Sequence, residues 1–302
     1  MPDIYTVEKD CENLRFDKWF KNTVISLPQS LIEKILRLNK IKINKKKIKS
    51  SYRVQAGDKV EVFDITKFKP ADRPKTLKYK PSKKETKVYD DYILENNDNF
   101  IVLNKPSGIP VQSGTKSFRN IIDILKDTDY FNLKKPYIVH RLDKETSGVL
   151  IIAKTREYAQ LFTSLFRIRK MHKTYLAITY GKVSNKIRSL RDNLITYENN
   201  KKIVQKAISN IKVIKTSDFF SLVELNPITG RKHQLRKQLY NIGNPIVGDD
   251  KYFITKRKGA KKLKKNNLML HAYKIKFMIN SVQYNFKAKY NLPFENFIKK
   301  NF

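Results

Sequence analysis

The chain has few features that would suit it to an oxidising compartment or a membrane. Cys11 is the one cysteine among 302 residues, so no disulfide can form within the chain. The longest strongly apolar run, residues 149–153, is far shorter than the roughly 20 residues that a membrane-spanning helix needs. The first twenty residues carry charges throughout and contain no apolar segment typical of a secretory signal. We therefore expect a cytoplasmic protein without a membrane partner.

Cofactor and metal motifs are also missing from the sequence. The four histidines, at positions 140, 172, 233 and 271, are not paired at metal-ligand spacing, and a single cysteine makes a structural zinc site improbable. Neither the G-x-G-x-x-G fingerprint of dinucleotide-binding proteins nor a P-loop occurs. The sequence therefore predicts no cofactor.

Acidic residues are scarce, and this scarcity is the first functional clue. Sixty-four Lys and Arg stand against 28 Asp and Glu, which gives a net charge of +36. Such a surplus favours a polyanionic partner, above all nucleic acid, although the abundance of Lys, Asn and Ile also indicates a compositional bias. Apolar residues make up 40% of the chain and aromatic residues 11%, which is enough to build a folded core.

The pattern of the chain predicts two domains of unequal size. Residues 1–64 are interpreted as a small basic α/β domain, in which Ser30 is expected to cap a helix that Glu33 supports as a capping-box partner. Residues 65–87 contain three prolines and many lysines, and are interpreted as a linker. Residues 88–302 form the larger domain, where predicted strands outnumber helices and their connections are too irregular for a doubly wound fold. We expect an α+β fold with a mainly antiparallel sheet.

The most informative segment is residues 139–148, VHRLDKETSG, which a strongly apolar strand follows at once. A polar turn that leads into a buried strand holds its side chains rigidly at the edge of a core. Arg141 and Lys144 flank Asp143 and would keep its carboxylate ionised, so that it could serve as a nucleophile or a base. Taken alone, however, an aspartate in a loop is more often a turn or capping residue.

The same segment resembles the signature of the RluA-type pseudouridine synthases, H-R-L-D-x-x-T-S-G, at every fixed position. Four further motifs of that family have counterparts here in the same order, and the resemblance covers about residues 88–295. Departures occur at residues 112–114 and 237–238, where contacts to flanking RNA could differ. The counterparts are NKPSG at 104–108, KTYLA at 173–177, PITGRKHQLR at 227–236, and GNPIVGDDKY with LHA at 243–252 and 270–272.

The resemblance implies roles for three catalytic residues. Asp143 matches the catalytic aspartate, which acts while the N1–C1′ bond of uridine breaks and the ring rejoins through C5. Tyr175 matches the active-site tyrosine that stacks on the base and assists the final proton abstraction, although a core tyrosine in a strand is an equally good interpretation of this residue alone. Arg231 matches the arginine that pairs with the aspartate, and its alternative role is an ordinary phosphate contact.

Further residues are implied to bind the substrate. Arg141 matches the arginine proposed to fill the gap that the flipped uridine leaves, and flipping is required because the enzyme must reach C1′ and both faces of the base. Leu235 is expected to pack under the base. His140 and His233 are expected to hold their loops by hydrogen bonds rather than to act in catalysis.

The amino-terminal domain resembles the S4 RNA-binding module. Five of the residues that would face RNA phosphates are Arg37, Lys42, Lys45, Lys46 and Lys47. A solvated charged face without a partner is the alternative.

This build is closest to the bacterial enzymes of the RluC-like branch, so the expected substrate is 23S rRNA of the large subunit, or a pre-ribosomal particle, and the expected state is a monomer. The alternatives are a synthase for tRNA or organellar RNA, and a non-catalytic RNA-binding assembly factor. A glycoside hydrolase is the least favoured, because it usually needs a second carboxylate and Glu145 is the one nearby candidate.

Overall fold

The computed structural model describes residues 2–64, 81–82, 86–87, 89–113, 119–126, 128–131, 136–198, 201–253 and 268–302. The chain forms two compact units, Met1–Leu77 and Lys78–Phe302. The predicted linker, residues 65–87, lies outside the described residues except at positions 81–82 and 86–87. Within the described ranges, no helix combines the length and the apolar character that a membrane span requires.

The amino-terminal unit is a three-stranded antiparallel sheet covered by two helices. The strand order is β1-β3-β2. Large apolar side chains from both helices share one core with the sheet, and Phe16, Phe20 and Ile32 in that core are fully buried. The elements are β1 (Asp3–Thr6), α1 (Phe16–Thr23), α2 (Gln29–Arg37), β2 (Ile41–Ile43) and β3 (Lys59–Val62).

The start of α2 differs from the predicted capping box. Pro28 is the N-cap, no side chain caps the helix, and Ser30 lies within its first turn. Proline suits this place because its fixed φ fits the start of a helix and it has no N–H to satisfy. Gln29 Nε2 instead donates to Asp17 Oδ2 at 2.9 Å, which ties the start of α2 to α1.

The larger unit is built on one ten-stranded sheet with helices packed against it. The strand order is β4-β5-β7-β12-β8-β11-β10-β9, with β6 paired to β7 and β13 paired to β12. Its helices are α3 (Ile121–Leu125), α4 (Arg156–Arg167), α5 (Gln234–Asn241) and α6 (Leu292–Asn301). Its strands are β4 (Ile93–Asn96), β5 (Phe100–Lys105), β6 (Tyr137–Ile138), β7 (Ser147–Ala153), β8 (His172–Tyr180), β9 (Ser189–Glu198), β10 (Lys201–Thr216), β11 (Phe220–Pro227), β12 (Leu270–Ile279) and β13 (Val282–Lys287).

The strand pairs of this sheet are antiparallel except for β7 and β12, which run parallel over two residue pairs. The prediction of an α+β fold with a mainly antiparallel sheet is therefore confirmed for this unit.

Strands β5 and β7 are buried on both faces, which explains why their sequences are apolar without alternation. Successive side chains of a strand point to opposite faces. Ile101 and Leu103 enter a core with α3, whereas Phe100 and Val102 enter a separate core with α4. A strand buried in this way reads as a continuous apolar run, and β7 in turn fixes the position of the polar loop that precedes it.

Gly148, at the start of β7, allows a close contact between strands. Its φ is +110°, and a Cβ atom at this position would lie 2.2 Å from the carbonyl oxygen of Ala272 on β12. Any side chain would therefore force β7 and β12 apart. This contact gives a physical reason for the glycine that follows Thr146 and Ser147 in the sequence.

Candidate active site

A cleft of about 730 Å³ opens beside the loop between β6 and β7. Residues within 139–146, 166–175 and 227–236 line it, together with Leu270. Seven of the lining side chains are Lys or Arg, whereas Asp143 is the one carboxylate among them. The cleft thus favours a polyanion and presents a single acid to it. A glycoside hydrolase would need a second carboxylate, and Glu145 is not among the lining residues.

The loop that carries Asp143 is held by hydrogen bonds from the segment that follows β5. The backbone N–H of Gly108 donates to the carbonyl of Lys144 at 2.9 Å. The hydroxyl of Ser107 donates to the carbonyl of Glu145 at 2.7 Å. Two distant segments of the sequence are thereby locked together directly behind the carboxylate, so the NKPSG segment acts as a clamp on the loop.

Lys105 completes this clamp from inside the protein. Its side chain is fully buried and donates to three backbone carbonyls, those of Pro106 at 2.8 Å, Ile109 at 2.8 Å and Lys144 at 3.1 Å. Burial lowers the pKa of Lys105 to about 7, and the nearby carboxylates of Glu145 and Asp143 oppose that change. Three carbonyl acceptors match the three N–H donors of an ammonium group.

Arg236 is the arginine closest to Asp143 among the ion pairs of the described residues. Its Nη1 lies 3.9 Å from Asp143 Oδ2, and its side chain is 4% exposed. Nε and Nη2 donate to the two carboxylate oxygens of Asp249, both at 2.6 Å, and Nη2 also reaches Asp250 at 3.1 Å. Burial alone would lower the pKa of Arg236, but the hydrogen bonds and charge of Asp249 raise it. A permanent positive charge is therefore fixed beneath Asp143.

Arg231 does not occupy the place expected for it. Its Nε donates to the carbonyl of Lys206 at 3.3 Å, and within the described residues no ion pair joins it to Asp143. Arg231 lies in the loop before α5, where its backbone N–H donates to Gln234 Oε1 at 3.0 Å. Arg236, by contrast, lies on the buried face of the helix. The expected pairing of Arg231 with Asp143 is thus wrong in this structure, and Arg236 takes that position.

His233 is the second basic neighbour of Asp143, and Tyr252 contacts the other side of the His233 ring. His233 Nε2 lies 3.8 Å from Asp143 Oδ1, and His233 Nδ1 lies 3.0 Å from the hydroxyl of Tyr252. Burial lowers the pKa of His233, which the charge of Asp143 opposes. The guanidinium of Arg236 stacks over the Tyr252 ring at 5.3 Å. The segment 249–252 therefore supports both basic neighbours of Asp143.

Tyr175 lies on β8 and lines the cleft from the opposite side. Its ring packs against the core beneath α5 and against the core that β5, β7 and α3 share. Burial, and secondarily the charge of Asp143, raises the pKa of Tyr175. The phenol therefore stays protonated near neutral pH and presents an apolar ring to the cleft.

Comparison with known proteins agrees with this geometry. The family model for RNA pseudouridylate synthase matches residues 99–241. A ribosomal large subunit pseudouridine synthase C from Rickettsia felis is 39% identical over 255 residues, which cover 79% of this chain and 81% of the relative. The chain belongs to the RNA pseudouridine synthase family.

A second relative and a solved structure show similar agreement. The ribosomal large subunit pseudouridine synthase C of Buchnera aphidicola is 34% identical over 90% of this chain and 88% of its own length. Among solved structures, human RNA pseudouridylate synthase domain containing 4 matches with a TM-score of 0.59 and 28% identity, over 71% of this chain and 94% of that one. As an RNA pseudouridine synthase, the protein isomerises uridine within RNA.

The synthase cleft also contains the three residues predicted to bind substrate. Arg141 is exposed at its opening and Leu235 is nearly buried in its wall. His140 Nε2 accepts a hydrogen bond from the N–H of Ile151 at 2.9 Å, and its ring stacks on Phe166 at 4.8 Å. Burial lowers the pKa of His140 to about 3. His140 therefore holds the loop against β7, and its Nε2 is not available to RNA.

In the amino-terminal unit, a tight turn presents the predicted basic residues. Asn44 and Lys45 both have positive φ, 47° and 64°, and the backbones of Ile43 and Lys46 bond to each other across the turn. Two successive positive φ values are typical of a type I′ hairpin turn. The turn leaves Lys45, Lys46 and Lys47 exposed, and Arg37 on α2 is exposed as well. The ammonium group of Lys42 lies over the Phe63 ring, 5.7 Å from its centroid.

Four residues of the site were not predicted from the sequence, namely Arg236, Asp249, Lys105 and Ser107. All four lie inside the motifs quoted from the sequence, so the motifs were the available signal. Motif letters do not tell which charged residue is buried, and burial is what separates Arg236 from Arg231.

Proposed function

We propose that this protein converts specific uridines of large-subunit rRNA into pseudouridine, with Asp143 as the catalytic carboxylate. The observation that carries the site assignment is that Asp143 is the one carboxylate among the described lining residues of a strongly cationic cleft. The names of the relatives from Rickettsia felis and Buchnera aphidicola support the choice of rRNA as the substrate.

Asp143 would act on a uridine that has left its stack, because C1′ and both faces of the base must become accessible. The carboxylate assists while the N1–C1′ bond breaks, the uracil turns, and C5 bonds to C1′. Arg236 at 3.9 Å keeps the carboxylate ionised and oriented. The reaction has no net redox change and transfers no group from a second substrate, so it requires no cofactor.

The walls of the cleft would position the flipped nucleotide. The Tyr175 ring offers a stacking surface for the uracil, and Leu235 packs beneath it. Arg141, exposed at the opening, fills the space that the uridine leaves in the RNA. We assign Arg231 to a phosphate contact, because its guanidinium lies at the rim and is not committed to a carboxylate of the described residues.

The amino-terminal unit would act as an S4-like RNA-binding domain. Lys45, Lys46 and Lys47 are exposed on one turn, where they could neutralise neighbouring phosphates. Every residue that we place in the reaction comes from one chain, so a monomer suffices. The rRNA substrate places the reaction in the cytoplasm.

The activity and its target can be tested together by mapping pseudouridine at nucleotide resolution in large-subunit rRNA and in tRNA. The RNA is treated with the parent protein, with Asp143→Asn, or with the matched control Asp218→Asn, whose carboxylate is 87% exposed on the turn before β11. We expect new sites with the parent and the control but none with Asp143→Asn, whose RNA affinity should be unchanged. Sites confined to tRNA would contradict the rRNA assignment, and turnover by Asp143→Asn would contradict the catalytic role.

The role of the amino-terminal unit can be tested by replacing Lys45, Lys46 and Lys47 with alanine. Each lost phosphate contact should reduce the slope of log affinity against log salt by roughly 0.7–0.9. A matched control replaces Lys212, Lys215 and Lys300, three exposed lysines of the larger unit outside the cleft. Equal salt slopes for the two triple variants would argue against an S4-like role.

A further inference from the structure

The isomerisation includes a proton transfer from C5 that neither Asp143 nor Arg236 accounts for and that the resemblance would give to Tyr175. When C5 bonds to C1′, C5 still carries its hydrogen. That proton must leave before the ring regains its aromatic electron count, while N1 takes up a proton. The following inference rests on the proposed function and concerns the group that accepts the C5 proton.

His233 has an unusual backbone conformation that places its ring in the cleft. It is the N-cap residue of α5 and has a φ of 54°, in the left-handed region. A residue with a Cβ atom adopts this region at an energetic cost. Such conformations cluster at functional sites, where the surrounding structure enforces them. Here the result is that Nε2 lies 3.8 Å from Asp143 Oδ1.

Tyr252 fixes the imidazole of His233 from behind. Its hydroxyl lies 3.0 Å from Nδ1, and the two rings meet edge to face with centroids 5.7 Å apart. Tyr252 is itself held, because its N–H donates to Asp249 Oδ1 at 2.9 Å and Arg236 stacks over its ring. With Nδ1 occupied, Nε2 is the ring nitrogen that faces the cleft, and it has no hydrogen bond to any described residue.

Two other titratable groups of the cleft, His140 and Tyr175, are less suited to accept a proton. His140 Nε2 is already bonded to the backbone of β7. The phenol of Tyr175 is protonated, since burial raises its pKa. Burial also lowers the pKa of His233, and the cations Arg236, Lys251 and Lys232 act in the same direction against the charge of Asp143. Its imidazole is therefore neutral near pH 7, and in the tautomer whose Nδ1–H donates to the Tyr252 oxygen the lone pair lies on Nε2.

We propose that His233 is a further catalytic residue, whose Nε2 accepts the proton that leaves C5, with Tyr252 holding the ring in place. The electron pair of the C5–H bond becomes the C5=C6 double bond. The electron pair of the C6=N1 bond moves onto N1, which takes a proton from solvent. The imidazolium that forms is stabilised by the adjacent Asp143 carboxylate, and it returns its proton to solvent. Protons and electrons balance without any further reactant.

The test measures single-turnover rates on RNA whose target uridine carries either hydrogen or deuterium at C5. His233→Asn is the central variant, because asparagine tolerates a positive φ and should preserve the backbone. We expect its rate to fall by about 10²-fold, in line with the loss of a general base, at unchanged RNA affinity. Deuterium should slow the variant more than it slows the parent, and added imidazole should restore part of the rate.

Two further variants complete the test. Tyr252→Phe should lose less rate than His233→Asn but show the same increase in isotope effect. His172→Asn, an exposed histidine outside the cleft, is the matched control and should behave as the parent does. A rate loss in His233→Asn without a larger isotope effect and without imidazole rescue would show a merely structural role and overturn the proposal.

Other outcomes separate this proposal from the proposed function. If Lys173→Met shows the enlarged isotope effect and His233→Asn does not, the base is Lys173 and the assignment to His233 is wrong. If the parent itself forms no pseudouridine in any RNA, the proposed function fails, whatever the histidine does.

Discussion

The floor of the cleft and its rim use the same kinds of side chain in opposite ways. The floor consists of His140, Asp143 and Arg236, with Asp249 as the buried partner of that arginine, and the rim consists of Arg141, Arg231 and Lys232. In the floor, Arg236 is 4% exposed and binds both oxygens of a fully buried Asp249 side chain. At the rim, Arg231 contacts one backbone carbonyl at 3.3 Å. The two arginines are five positions apart in one motif.

This difference shows what distinguishes a group that sets up chemistry from one that attracts a ligand. A buried guanidinium with fixed carboxylate partners keeps one geometry and one charge, which a reacting carboxylate needs nearby. An arginine at the rim can move and can follow the phosphate backbone of a large substrate. The positions in the motif do not reveal this division, but burial and counter-charge do.

The contrast between the floor and the rim is tested most strongly by the substitution Arg236→Gln. The change leaves the Asp249 carboxylate buried without its cation, so we expect the free energy of unfolding to fall by about 3–5 kcal/mol. Turnover should fall below detection even where the variant remains folded. Urea denaturation and single-turnover assays measure the two effects. Arg236→Lys keeps the charge but not the paired geometry. Its stability and turnover should therefore lie between those of the parent and those of Arg236→Gln. A fully stable, active Arg236→Gln protein would place Arg236 with the rim.

Lowering the pH should destabilise the folded protein through His140 in the floor of the cleft. The pKa of His140 is lowered to about 3 in the folded state, so between pH 6.5 and about 3 the unfolded chain binds a proton that the folded chain does not. The free energy of unfolding should therefore decrease as the pH falls, by at most about 1.4 kcal/mol per pH unit for this histidine.

The contribution of His140 can be isolated by comparing the parent with His140→Gln between about pH 6.5 and about pH 5, in steps of about half a pH unit. His233 and His271, whose pKa values are also lowered, contribute equally to both proteins. The variant should show the shallower pH dependence in urea denaturation. Parallel curves would mean that His140 does not stay neutral in the fold.

The smallest effect is expected at the rim, from Arg231→Gln. Stability should change by less than about 0.5 kcal/mol, because the side chain leaves no buried partner behind. RNA affinity should weaken, and its salt slope should decrease by roughly 0.7–0.9, as for one lost phosphate contact. Lys232→Gln is the matched control and should behave alike. If Arg231→Gln instead abolished chemistry at full RNA affinity, Arg231 would belong with the floor.

Much of the fold could be predicted because apolar periodicity reports burial directly. The sequence predicts strands at residues 100–103, 149–153 and 175–179, which lie within β5, β7 and β8. It also predicts a helix at residues 158–169, which overlaps the helix that contains Phe162. Strand β9 was missed. It pairs with the first half of β10 as a two-stranded ribbon, where exposed polar residues alternate with few buried ones.

Helix α5 was missed for the opposite reason. Gln234, Arg236 and Gln238 are its buried polar residues, so a search for an apolar face finds too little. Gln238 is satisfied by Ser209 at 2.6 Å and by two backbone carbonyls, contacts that exist once the fold is formed. The same limit produced the error over Arg231, because the partner of each arginine depends on tertiary structure.

The close approach at Gly148 bears on how accurately the site is assembled. Asp143 precedes β7 and belongs to the half of the sheet formed by β4, β5 and β7, whereas Tyr175 and Arg236 belong to the half on the other side of β12. Among the described residues, strand pairing between the two halves covers one short seam, Ser147 with His271 and Gly148 with Ala272. The absence of a side chain at Gly148 therefore sets how Asp143 is aligned with Tyr175 and Arg236 across that seam. In a mutational scan, this position should rank with the catalytic residues, although nothing bound in the cleft would touch it.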